Sequence, residues 1–127
     1  MRISIDTIGP TPIYQQLRDQ IILNIARKQL TVGQALPSVR RVAAELNINF
    51  HTVNKAYTAL CDEGYINMDR RRGAVVAKQP EKTKAYKAQL SQKLALTAAE
   101  AICHGMSQTE FIALCKRVYL EGSGVEG

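Results

Sequence analysis

Apolar side chains recur along the first part of the chain at helical spacing. Ile13, Leu17, Ile21 and Ile25 fall four residues apart with Tyr14 and Ile22 beside them, which predicts an amphipathic helix through about Lys28. Thr11 is placed to cap that helix and Pro12 to fill its first position, where a missing N–H costs nothing. Leu30-Thr31-Val32-Gly33 interrupts the pattern. Ser38 then opens a second helix whose inner face is Val39, Val42, Ala43 and Leu46. A tight turn at Asn47-Ile48 leads to Asn49, another capping residue. In the third helix that follows, Val53, Ala56, Tyr57 and Leu60 share one face, and Gly64 stands where a helix stops.

The period changes at Tyr65. Tyr65–Met68 and Ala74–Ala77 are short β-type runs around Asp69-Arg70-Arg71-Arg72-Gly73, a hairpin with a basic tip. A polar stretch with Pro80 inside it reads as a linker. Tyr86, Leu90, Leu94, Thr97 and Ala101 then mark a fourth helix ending near Gly105, with apolar spacing close to a heptad seam. Ser107-Gln108-Thr109-Glu110 is a capping-box signature, and Phe111, Leu114, Cys115 and Val118 form the apolar side of a fifth helix.

The predicted fold is α+β, mostly α: a winged helix-turn-helix with a two-helix C-terminal extension. The divisions are a winged domain at 1–77, a linker at 78–84, a helical dimerisation region at 85–120 and a flexible tail at 121–127. Tyr86, Leu90, Leu94, Ala101, Phe111, Leu114 and Val118 are the expected dimerisation residues. Two short amphipathic helices cannot bury both faces alone, so a second copy is the physical remedy; the alternative is that they cap the core of their own chain.

Composition narrows the function. With 127 residues, 46% apolar and 22% charged, the chain makes one domain or a small domain with an appendage, and a large cofactor enzyme is excluded by size. Seventeen Lys and Arg against eleven Asp and Glu give +6, a balance that points to a polyanion. The longest aliphatic run, Ile21-Ile22-Leu23, is far too short to span a bilayer, and Met1–Asp6 has no apolar export core. Cys61, Cys103 and Cys115 lack CxxC spacing and read as buried or half-buried thiols of a reducing compartment, so the cytoplasm is the expected location.

A helix is the right width for the DNA major groove. With the apolar face of the third helix turned inward, His51, Asn54, Lys55 and Thr58 lie opposite, bearing groups that can meet base edges or phosphates. Arg70, Arg71 and Arg72 at the hairpin tip suit phosphate or minor-groove contact. Arg40 and Arg41 open the second helix, where positive charge opposes the macrodipole unless an anion is present; an ion pair with Glu45 is the other reading for Arg41. Cys103 and His104 are neighbours on a helix and point about 100° apart, which disfavours a nucleophile–base pair, and with Cys115 they give no chelating pair on one face. No catalytic residue, metal or cofactor is expected. A winged-helix module that docks on protein instead of DNA is the first alternative, and a small thiol enzyme around Cys103 and His104 the second; the basic wing argues against both.

Residues 12–77 resemble the DNA-binding domain of the GntR family of bacterial transcription regulators. The resemblance rests on Pro12-Ile13-Tyr14, Gln16-Leu17, Gly33, Leu36-Pro37-Ser38-Val39-Arg40 and Leu46. It continues through Thr52-Val53, Ala56-Tyr57, Leu60, Glu63-Gly64-Tyr65-Ile66, Gly73 and Val76. The short C-terminal part and the Thr52-Val53-x-x-Ala56-Tyr57 string are similar to the YtrA-type subfamily. The resemblance implies a homodimer, commonly a repressor, on a palindromic double-stranded operator, often in a transporter operon. It implies DNA contact by Arg40, by Thr52 on the backbone and at Gly73 in the wing; Ser38, at the start of the second helix, is nominated beside them. A small-molecule effector, if there is one, has room only at a dimer interface. The chain departs from the family at Phe50, where many members have a polar or basic residue or a proline, at Asn54, where many have Arg, and at Arg71, which replaces a wing glycine. Phe50 lies at the edge of the buried face, placed either to pack inward or to touch a thymine methyl.

Overall fold

A computed structural model describes residues 1–124. In chain order the elements are α1 (Ile13–Ala26), α2 (Val39–Leu46), α3 (Phe50–Asp62), β1 (Ile66–Asp69), β2 (Gly73–Val76), α4 (Lys84–Cys103) and α5 (Gln108–Gly122). They divide into two compact units, Met1–Pro80 and a second that begins at Glu81.

The core of the first unit is built from the faces that the spacing marks. Leu17 and Ile21 of α1, Val42 of α2, and Val53, Ala56, Tyr57 and Leu60 of α3 are buried together with Leu30, Leu36, Ile66 and Val76. Ser38 caps α2 by accepting the Arg41 N–H at 3.1 Å, and Asn49 caps α3 by accepting the His51 N–H at 2.7 Å. The turn between these helices is closed by Asn47, which adopts left-handed φ of 53° while Ile48 N–H reaches back to Ala43 O at 3.0 Å. Gly64, at φ 87°, ends α3 in the same way, with Tyr65 N–H returning to Leu60 O.

Three local expectations are corrected. Pro12, not Thr11, is the N-cap of α1, and no side chain caps that end; the Gln16 amide instead donates to Thr11 O. α1 stops at Ala26 because Lys28 takes φ 65°, which lets Gln29 N–H return to Asn24 O at 2.9 Å. The strands sit one residue nearer the tip than the β-type runs, pairing Ile66 with Val76 and Asp69 with Gly73.

The wing is also broader than a hairpin. Ala35 bridges antiparallel to Val75, and Gly33 N–H to Val76 O, Val76 N–H to Gln34 O and Leu36 N–H to Ala74 O continue the ladder. The segment before α1 is fastened in turn. Gln16 exchanges hydrogen bonds with the backbone of Asp6, Gln20 does the same with Ser4, and Ile3 and Ile5 pack on the core.

In the second unit Thr83 caps α4 by accepting the Tyr86 N–H, so Lys84 is helical rather than the end of a linker. The capping box between Ser107 and Glu110 is formed. α5 continues through Gly122 with Ser123 as its C-cap, which carries helix into the stretch expected as tail; residues 125–127 of that stretch lie outside the described residues. Neither helix buries any residue. Tyr86, Leu90, Leu94, Leu96, Ile102, Leu114, Val118 and Tyr119 are exposed, and Ala101 and Phe111 are half-buried. Among the described residues no helix is long and apolar enough to cross a membrane.

Candidate nucleic-acid interface

The first unit gathers the residues that the sequence nominates for DNA, and it sorts them by what else they do. On α3, Val53, Ala56, Tyr57 and Leu60 are turned inward, leaving His51, Asn54, Lys55 and Thr58 exposed and Thr52 half-buried at the first turn. Tyr57 locks this orientation: its hydroxyl donates to Pro37 O at 2.6 Å, and burial pushes its pKa up to about 12. Asn54 and Arg40 carry no side-chain hydrogen bond or ion pair among the described residues. Lys55 is held differently, with its ammonium 4.0 Å from the centroid of the Tyr14 ring on α1.

Other nominated side chains are engaged within the fold. Ser38 Oγ is occupied as the α2 cap. Arg41 Nε donates to Glu45 Oε1 at 2.9 Å, so the ion-pair reading of Arg41 holds. Arg72 spans the wing base: Nη1 donates to Gly33 O at 3.1 Å and Nη2 lies 3.3 Å from Asp69 Oδ2. Asp69 closes the tip by accepting the backbone N–H groups of Arg71 and Arg72 at 2.8 and 3.2 Å. Those two N–H bonds, followed by the Arg72 guanidinium, hold its carboxyl below the ordinary range. Gly73 takes φ 74°, the left-handed backbone that lets the chain re-enter β2. Arg70 and Arg71 thus remain at the tip as exposed side chains without a partner among the described residues.

Sequence reasoning missed the residue that ties α1 to the end of α3. Arg18 donates Nε and Nη2 to the two carboxylate oxygens of Glu63, at 2.8 and 2.6 Å, and Nη1 to Asp19 at 2.6 Å. Hydrogen bonding to Glu63 raises the Arg18 pKa further. Glu63 belongs to the Glu-Gly-Tyr-Ile string, but nothing local marks a partner 45 residues away.

The cysteines do not form a site. Cys103 is exposed at the end of α4, against the expectation of a buried or half-buried thiol. Residue-type preference had placed it inside, and the second unit has no interior to receive it. Cys61 and Cys115 are half-buried, and burial followed by Asp62 pushes the Cys61 thiol pKa up, away from the reactive thiolate. His104 directs Nδ1 to Glu100 O at 2.8 Å. Among the described residues no group of His, Cys, Asp and Glu is placed to hold a metal ion.

A capped helix-turn-helix followed by a basic-tipped wing defines a winged-helix DNA-binding protein. The chain belongs to the GntR family of bacterial regulatory proteins, which it matches over residues 13–76, and it is YtrA-like within that family. It is 31% identical over 111 residues to the HTH-type transcriptional regulator YhcF of Bacillus subtilis, covering 87% of this chain and 86% of that one. It is 37% identical over 81 residues to the HTH-type transcriptional repressor YtrA of Bacillus subtilis, covering 64% of this chain and 62% of the repressor. A solved structure, described as a transcriptional antiterminator from Listeria monocytogenes EGD-e, aligns with a TM-score of 0.88 at 26% identity, over 100% of this chain and 98% of that one. The chain is therefore a DNA-binding transcriptional regulator.

Proposed function

We propose that the protein is a cytoplasmic homodimeric repressor that acts by occupying a palindromic operator and not by catalysis. The observation that carries the reading is the exposed polar face of α3, with His51, Asn54 and Lys55 set opposite a fully buried Val53–Ala56–Tyr57–Leu60 face. In this reading α3 enters the major groove, Asn54 and His51 meet base edges, and Thr52 and Lys55 meet the backbone. Arg40 at the start of α2 contacts DNA from the neighbouring helix, and Arg70 and Arg71 approach the minor groove from the wing. Ser38, Arg41, Arg72 and Gly73 shape the surface.

Dimerisation is supported by the second unit, whose helices bury nothing while exposing Tyr86, Leu90, Leu94, Leu114 and Val118. A two-fold pair would place two copies of α3 on half-sites about 34–36 Å apart. The repressor assignment draws on the relative YtrA, which bears that description.

The test is fluorescence-anisotropy binding to the DNA upstream of the protein's own gene and to a scrambled duplex, across a salt series. Selective binding that weakens with salt, and weakens again in Arg40→Ala, is the expected result. Absence of binding to either duplex at low salt would sink the reading and turn attention to protein partners.

A further inference from the structure

The leading edge of α3 carries a large apolar group that is not part of the hydrophobic core. Phe50 is the first residue of the helix, it is 43% exposed, and it lies outside the apolar side chains that pack on the core. The inward alternative for this ring is thus not the one adopted. Its ring stands edge-on to His51, with centroids 5.7 Å apart and planes at 84°. The Asn49 cap, which accepts the His51 N–H and whose carbonyl accepts those of Thr52 and Val53, fixes the first turn on which both rings are mounted.

We propose that Phe50 is a specificity residue that recognises a thymine in the operator by its C5-methyl group. The proposal rests on the reading that α3 enters the major groove. Helical side chains lean toward the N-terminus, so the first residue projects past the end of the helix, the part of a recognition helix that meets base edges. The major-groove edges of G, A and C offer hydrogen-bonding groups, which a phenyl ring cannot satisfy; T alone adds a methyl. A ring facing that methyl removes apolar surface from water on both sides. The same ring facing another base strips water from a donor or acceptor and returns nothing. His51 restricts the swing of the ring through their edge-to-face contact, so the methyl is met by a surface already in place. Burial of one methyl corresponds to about a three- to fivefold gain in affinity.

The experiment uses the full chain and a duplex selected by it from a random-sequence library. Each thymine of that duplex is replaced in turn by deoxyuridine, which removes the methyl and leaves every hydrogen-bonding group. Binding is read by anisotropy for the wild type, Phe50→Ala and Phe50→Leu, with circular dichroism confirming that each variant is folded. The wild type is expected to lose about three- to fivefold at one thymine of each half-site. Phe50→Ala binds the thymine duplex more weakly and no longer distinguishes the deoxyuridine at that position; Phe50→Leu keeps part of the preference. Selective binding that ignores every methyl overturns the assignment and leaves the regulator intact. Discrimination that survives in Phe50→Ala overturns it too, since another residue then holds the methyl. Failure to select any preferred duplex removes the groove reading itself, and the Phe50 assignment with it.

Discussion

Arg18 on α1 and Glu63 at the end of α3 meet as a two-pronged ion pair, Nε to Oε2 at 2.8 Å and Nη2 to Oε1 at 2.6 Å. The pair fastens the C-terminal end of α3, the helix proposed to enter the major groove. Both side chains keep part of their surface in water, 24% for Arg18 and 42% for Glu63, so solvent screening limits its worth to about 1 kcal/mol despite the fork geometry. Arg18→Ala and Glu63→Gln are each expected to destabilise the protein by about that amount, and the double variant to cost less than the two together. Urea melts of the four proteins check this. In the DNA assay these variants should weaken binding without changing its salt slope, because no phosphate contact is removed.

The three wing arginines are expected to separate into two kinds. Arg70→Ala and Arg71→Ala should each flatten the slope of log K against log salt by about 0.9, the signature of a lost phosphate contact. Arg72→Ala should weaken binding by loosening the wing against Gly33, and its effect should overlap with that of Asp69→Asn because the two side chains are partners. The Asp69 carboxyl is held below its ordinary value of about 3.9. Its contribution is therefore complete above that value and disappears as pH falls through the lower folded-state pKa. A pH series on wild type and Asp69→Asn, read by amide exchange at the tip, should converge only in acid.

The helix-turn-helix was legible because its signals are local: Ser38 and Asn49 as caps, Gly64 as a stop and an inward face at α3 that defines an outward one. What has no local signal depends on residues far apart in the chain. Arg18 and Glu63, the Ala35–Val75 bridge and the seat of Lys55 on Tyr14 have no periodicity to announce them. Among the nominated DNA residues, the engagement of Ser38 as a cap and of Arg41 with Glu45 is legible from local spacing, whereas that of Arg72 with Gly33, 39 residues away in the chain, is not. Cys103 is exposed because a preference for burial presupposes an interior, and α4 and α5 bury no residue.

Those same helices carry the third prediction. Leu90→Glu with Leu94→Glu places charge on the exposed apolar seam of α4 without touching the core of the first unit. Sedimentation or light scattering should report a dimer for the wild type and a monomer for this variant. The winged helix should keep its near-UV signal, while operator affinity falls because the half-sites are no longer bound by linked copies. A variant that remains dimeric would show that the seam lies elsewhere, and a monomeric wild type would overturn the proposed homodimer.

Tyr57 supplies the last prediction, since one hydroxyl both orients α3 and titrates abnormally. Tyr57→Phe leaves the ring but strands Pro37 O, at an expected cost of about 1 kcal/mol. The two proteins should also differ in alkali. In the unfolded chain a tyrosine ionises near pH 10, whereas burial in the folded protein delays ionisation to about 12. Between these values the unfolded state has released a proton that the folded state retains, so stability must fall as pH rises. The folding equilibrium loses up to roughly tenfold per pH unit from this group alone. The contribution is complete below pH 10 and gone above the folded value. Chemical melts at pH 9 to 12 should therefore show the wild type losing its advantage over Tyr57→Phe across this window. A constant difference between the two would mean that the hydroxyl is not buried against Pro37 in solution.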